Sequence, residues 1–147
     1  RIWASPPFDT VDPSLRRVAD LALAGDGEPT LCPELPEVLG LLHRLRARHG
    51  LESIPVRLFT NASLLHLHRV RQALERLEAG GGEIWAKLDA GTEAYYDRVA
   101  RSAIKFSKIL DNLRWAASVR PIVIQTLFMN IQDEGPDDAD PDLETPA

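Results

Sequence analysis

Cysteine is almost absent from this chain: Cys32 is the only one in 147 residues. One thiol makes no internal disulfide and cannot alone hold zinc or an iron–sulfur cluster. A reducing, cytoplasmic setting is therefore expected. Long apolar runs are lacking too. No stretch of eighteen apolar residues could span a bilayer and no basic, apolar, small-residue leader reads as a signal peptide, so no membrane partner is expected. The first residue is Arg1 rather than Met, which leads to the expectation of processing or of a segment upstream. Also missing are a Ser-His-Asp order, a Gly-Lys-Ser/Thr phosphate loop and a Cys-x-x-Cys pair, so the common catalytic signatures are excluded.

A charge excess is missing from most of the chain. The formal net charge is −5, but seven acidic side chains and no Lys or Arg follow residue 130, which leaves +2 for residues 1–130. So neutral a body offers no broad cationic footprint for duplex nucleic acid, while a structured RNA or a nucleotide stays open as a ligand. The end of the chain, "QDEGPDDADPDLETPA", is acidic, Pro-rich and without an apolar period, and residues 131–147 are expected to be disordered. With 44% hydrophobic residues among its 147, the chain can bury one sizeable core and hardly two.

What is present is an alternation of strand and helix patterns. An apolar run over 18–24 ends in glycine, and Leu35, Val38, Leu39, Leu42 and Leu45 then recur at helical spacing up to Gly50. The pattern repeats as a strand over 56–60, a loop over 61–66, and a helix carrying Val70, Leu74 and Leu77 before the Gly80-Gly81-Gly82 break. It returns as a strand over 83–88, a turn over 89–91, helical stretches through Tyr95 and Tyr96 and over 106–119, a stop at Pro121, and a strand over 122–128. This spacing predicts an α/β fold of about four parallel strands, with right-handed crossovers and helices on both sheet faces.

Polar chemistry gathers where the strands end. Gly25 and Gly27 allow positive φ and open backbone, and Asp26 and Glu28 could accept hydrogen bonds from an ammonium group; a turn with a helix N-terminal carboxylate reads equally well. Asn61 is either a turn residue or an amide that reaches a ligand. Lys87 and Asp89 fall on one side of their strand, which makes them an internal ion pair or a functional pair. Gln125, if buried, needs partners. His66 and His68 lack a nearby third ligand, so no metal site is expected. Solvated His43 and His49, a buried Cys32 and a Trp85 packed beneath a helix complete the expectations.

In order and at these intervals, "AGDGEPTL", "LFTNASLLH", "EIWAKLDAGTEAYYDRV" and "IVIQTLF" resemble the radical S-adenosylmethionine superfamily over residues 4–129, within it the group resembling the wyosine-synthesising tRNA enzymes. The resemblance implies a partial TIM-type (β/α) barrel, open-edged, of which residues 1–130 supply the second to fifth strands. It implies that Gly25, Asp26, Gly27 and Glu28 hold the amino group of the S-adenosylmethionine methionyl moiety. Asn61 would lie in the pocket, Lys87 and Asp89 near the ribose, the carboxylate or the substrate, and Gln125 beside the adenosyl group. The family's Cys-x-x-x-Cys-x-x-Cys loop precedes the first of these motifs and does not occur here, so a 4Fe-4S cluster is expected only in a full-length protein and this chain alone is expected to be inactive. Kinship alone suggests RNA base modification through a 5'-deoxyadenosyl radical, and the open sheet edge suggests self-association. Two alternatives stand beside it: a cluster-free module binding S-adenosylmethionine or a nucleotide, and a hydrolase-like or aldolase-like half barrel with Lys87 as amine nucleophile.

Overall fold

The computed structural model describes residues 2–24 and 27–128. Four strands and four α-helices alternate: β1 (Leu21–Leu23), α1 (Leu35–His49), β2 (Val56–Thr60), α2 (His68–Ala79), β3 (Glu83–Lys87), α3 (Glu93–Ala100), α4 (Phe106–Val119) and β4 (Val123–Gln125). Short 3₁₀ turns precede β1 and α1. The strands form one parallel sheet in the order β1-β2-β3-β4, with Leu23 opposite Leu58, Phe59 opposite Trp85 and Lys87 opposite Gln125. The fold is therefore α/β. Its sheet is open, with β1 and β4 as edges.

Each strand adds on the same side of its predecessor, and crossovers of one hand then send every connecting helix to the same face. Burial follows that rule. Val56, Leu58, Thr60, Ile84 and Ala86 point into the core, whereas Arg57, Phe59, Glu83, Trp85 and Lys87 alternate onto the opposite face. Coverage of both faces, expected from the βα alternation, is thus corrected: it requires a reversal of strand order, and this sheet has none. Trp85 is corrected for the same reason. Its ring packs on Phe59, centroids 5.4 Å apart, on the face away from Ile84 and the core.

The core lies between the sheet and the helices, around Leu39 of α1, Val70, Leu74 and Leu77 of α2, and Ile109, Leu113 and Ala116 of α4. Tyr96 joins it from α3, its ring 5.2 Å from Phe106. Burying each of the larger aliphatic side chains stabilises the fold by about 1.5–3 kcal/mol. Among the described residues, no helix is long and apolar enough to cross a membrane.

Three local departures have clear causes. On α1 the apolar stripe does not continue through Leu45, which is 40% exposed; Arg46 is buried instead. Its guanidinium donates to the carbonyls of Leu51, Glu52 and Gly80, so a charged side chain closes the C-terminal ends of α1 and α2. His43 is half-buried rather than solvated: its ring lies so close to Gly80 that a Cβ there would fall 2.0 Å from Nε2. Finally, only Val123–Gln125 of the run 122–128 pairs as strand, and all three residues are exposed because β4 is an edge. Residues 131–147, like Gly25 and Asp26, lie outside the described residues.

Candidate functional site

The carboxyl ends of the four strands share one edge of the sheet, and the loops that leave them are tied together by side chains. After β1, Gly27 takes φ +140°, in a region that favours glycine, and nothing lies within 4 Å of where a Cβ would stand. Its backbone is open to a ligand. Glu28 follows and caps the 3₁₀ turn Pro29–Leu31. Its Oε1 accepts from the Thr30 N–H (3.1 Å), the Thr30 hydroxyl (2.5 Å) and the Thr60 hydroxyl (2.6 Å), while Oε2 accepts from the Asn61 N–H (2.7 Å). A carboxylate offers about four lone-pair sites, and these four donors match that number, three of them crowded on Oε1 and one on Oε2. Glu28 thus straps the β1 loop to the β2 loop, the capping role that competed with ligand binding, and Oε2 is its less crowded oxygen among the described residues.

The loop after β2 is held from three directions. Thr60 Oγ1, donating to Glu28, accepts from the Ala62 N–H at 3.1 Å, and Asn61 Oδ1 accepts from the Ser63 N–H at 3.0 Å, as a turn-forming Asn does. Ala62 sits at φ +63°, uncommon for a residue with a Cβ. From α4, Asn112, 3% exposed, donates its amide to the carbonyls of Ala62 (2.7 Å) and Ser63 (3.0 Å).

Lys87 and Asp89 do not pair. The Asp89 carboxylate accepts from the Leu127 N–H at 2.7 Å and ties the end of β3 to the segment after β4. Lys87 is exposed and has no hydrogen-bond or ion-pair partner among the described residues. Gln125, its register partner, is exposed as well, so its amide needs no protein partner. Further along the same face Arg57 is fully engaged, with Asp20 at 2.5 Å, Glu83 at 2.9 Å and the Trp85 ring 5.1 Å beneath its guanidinium. The Trp85 indole N–H bonds Glu83 at 2.9 Å. That bond first, and Arg57 second, hold the Glu83 carboxyl below its ordinary range, and the Glu83 bond raises Arg57.

Three cavities open along this edge. The first, about 150 Å³, is lined by Gly27, Glu28, Phe59, Asn61 and Lys87 among others. The second, about 230 Å³, shares Asn61 and Lys87 and adds Asp89, Tyr96 and Val99. A third of about 700 Å³ spreads over the ends of β3 and β4, bordered by Asp89, Tyr95, Leu127 and Phe128. Typical ligand pockets begin at about 300 Å³, so the first alone takes one end of a molecule; the first two have Asn61 and Lys87 in common as lining residues. Gly27, Glu28, Asn61, Lys87 and Asp89 are brought together; Gln125 stands beside Lys87 but borders none of these three spaces.

Among the described residues, the chemistry on offer is an ammonium without a partner, a carboxylate oxygen that carries a single donor, an amide and an open backbone. A small zwitterion matches that set, its carboxylate meeting Lys87 and its ammonium meeting Glu28 Oε2. Among the described residues no three His, Cys, Asp or Glu side chains group to hold a metal ion. His66 instead stands 3.5 Å from the Asn112 amide, and Cys32, expected to be buried, is exposed. Thr30, Thr60 and Asn112 escaped the sequence reading. Asn112 carried a signal, since it is the polar member of the buried stripe Ile109, Asn112, Leu113, Ala116. No family model, no curated protein and no solved structure matches this chain.

Proposed function

We propose that this chain is part of a radical S-adenosylmethionine enzyme and that its strand-end edge binds the methionyl portion of S-adenosylmethionine. The observation that carries the proposal is one cavity lined by Gly27, Glu28, Asn61 and Lys87, of which Asn61 and Lys87 also line a second. Three of the four motifs that suggested the family meet there, and their donor set suits an amino acid zwitterion. The finer fold reading belongs to the same proposal. Four parallel strands in sequential order with helices on one face are what a segment of a (β/α) barrel requires.

The residues suit S-adenosylmethionine better than they suit a cluster. Gly27 leaves its backbone clear, Glu28 Oε2 can accept from the α-ammonium, Lys87 can receive the α-carboxylate, and Asn61 can donate between them. S-adenosylmethionine, when bound, supplies the adenosyl group for radical chemistry. A 4Fe-4S cluster does not fit this chain, whose one thiol is exposed Cys32, and no step is assigned through it. The chain's own contribution is binding, orientation and exclusion of water. RNA draws little support as substrate, because Lys87 is the one cation lining the three strand-end cavities.

The single cysteine favours a second reading, a cluster-free module that binds S-adenosylmethionine without turning it over. Both readings expect saturable heat when the chain is titrated with S-adenosylmethionine, reduced at least tenfold by Lys87→Ala. No heat above dilution from a chain shown to be folded would refute both. The coding frame upstream of Arg1 then separates them: three cysteines at the family spacing support the enzyme, and a start codon without them supports the binding module.

A further inference from the structure

Arg98, Arg101, Lys105 and Lys108 stand close together in the chain, and no Asp or Glu falls between Asp97 and Asp111. All four are exposed, and Arg101, Lys105 and Lys108 have no ion-pair partner among the described residues. Lys105 is the N-cap of α4 and Lys108 lies in its first turn, which holds no acidic residue, so two cations meet the positive end of that helix and repel each other. This basic rim belongs to the carboxyl edge of the sheet. Val99, Ala100 and Ser102 line the second cavity together with Lys87 and Asp89. Phe128, the last described residue, borders the third cavity, and the two cavities have Leu88, Asp89 and Ala90 in common. The chain is fixed at that point, because the Leu127 N–H bonds the Asp89 carboxylate.

We propose that the acidic segment 131–147 of this same chain lies across the rim formed by residues 98–108. Charge, attachment and reach select this occupant. Seven carboxylates and no cation stand in 131–147, against four cations and no carboxylate in 98–110. The segment is tethered through Phe128 at the edge where the rim stands, which sets its effective concentration there on the order of millimolar. An extended chain advances about 3.3 Å per residue, so Asp133 reaches about 17 Å from Phe128 and Asp142 about 46 Å. Neighbouring strands lie about 4.8 Å apart and a helix with its side chains is about 10–12 Å wide, so the rim is within range. A carboxylate there offsets both the repulsion between Lys105 and Lys108 and their unfavourable place at the start of α4. An anion entering the second cavity then competes with this segment. The placement does not rest on what the strand-end cavities bind.

The test places a nitroxide on the ¹⁵N-labelled full chain through Ala139→Cys in a Cys32→Ser background and reads the paramagnetic broadening of assigned amides. At about 20 mM salt the amides of residues 98–108 are expected to broaden more than those of 80–82, at the far end of the strands. Raising the salt to about 500 mM screens exposed charges within a few ångström and should reduce that broadening at least threefold. Lys105→Glu with Lys108→Glu should reduce it by a similar factor at low salt. The salt series needs no charge variant and decides the matter even if that pair does not fold. Amides of 98–108 left sharp at low salt would overturn the proposal, and so would broadening indifferent to salt, because the tether alone would then account for the position of the tag. Labelled chain without the tag, mixed with unlabelled tagged chain, identifies the occupant: broadening as strong as within one chain would give the rim to a second copy and overturn the placement.

Discussion

Removing the Glu28 carboxylate separates its role as a strap from a role as a free ligand acceptor. Glu28→Ala deletes four hydrogen bonds and leaves Thr30, fully buried, and Thr60, 1% exposed, with hydroxyls that have lost their acceptor. Hydrogen bonds to a charged group contribute about 1.5–3 kcal/mol each. The four share one carboxylate, and water reaches the exposed Asn61, so a non-additive total of about 3–4 kcal/mol is expected. Against a usual stability of about 5–15 kcal/mol this is a large fraction. With a urea slope of about 2 kcal/mol per molar, the midpoint should fall by roughly 1.5–2 M without a change in slope. Glu28→Gln keeps the Oε1 acceptor but turns an amide N–H₂ toward the Asn61 N–H, so a smaller loss of about 1–2 kcal/mol follows. A midpoint shift in Glu28→Ala corresponding to less than about 1 kcal/mol would refute the strap, because bonds of this kind cannot be that weak in a site so little exposed.

Other consequences concern the loop after β2 and the packing of α1 against α2. Asn112→Leu, close in volume, leaves the Ala62 and Ser63 carbonyls without their donor; about 2 kcal/mol should be lost in urea unfolding, and amide exchange over residues 61–66 should rise above that of the core strands. An unchanged exchange rate would show that the loop holds itself. Gly80→Ala puts a Cβ into the His43 ring and should cost about 1–3 kcal/mol, most of it recovered when His43→Ala is added, as a double-mutant cycle in melting temperature would reveal. Burial, and after it the nearby charge of Arg46, holds the His43 imidazole below its ordinary pKa. The unfolded chain therefore takes up that proton first as pH falls; the fold keeps this contribution above about pH 6.5 and loses it between there and the lower native value. Stability measured from pH 7.5 to 5.5 should decline less in His43→Gln than in the parent.

Much of the fold is legible in the chain because its signals are local. Residues 56–60 and 106–119, expected as strand and helix, form β2 and α4 with those bounds, since β-branched and aromatic residues between turn signals in one case and a 3.6-residue apolar period in the other leave little choice. The strand-end loops were legible for the same reason: glycine, asparagine and proline mark turns wherever they stand. Burial of Arg46 in place of Leu45 was not. Helical spacing allows either, and the choice rests on three carbonyls from two separate helix ends that only the folded chain brings within reach of one guanidinium.

By itself, then, the amino-acid sequence determined the alternation of elements, the parallel pairing it entails, and the crowding of Gly27, Glu28, Asn61, Lys87 and Asp89 at one edge, because side-chain period and turn chemistry act over a few residues. Tertiary structure alone decided what those residues do with one another. Strand order, which no local period encodes, left one face of the sheet without a covering helix among the described residues and put Trp85 on it. Long-range approach gave Glu28 to Thr60 and Asn61, and Asp89 to Leu127, and so left Lys87, among the described residues, as the strand-end charge without a partner.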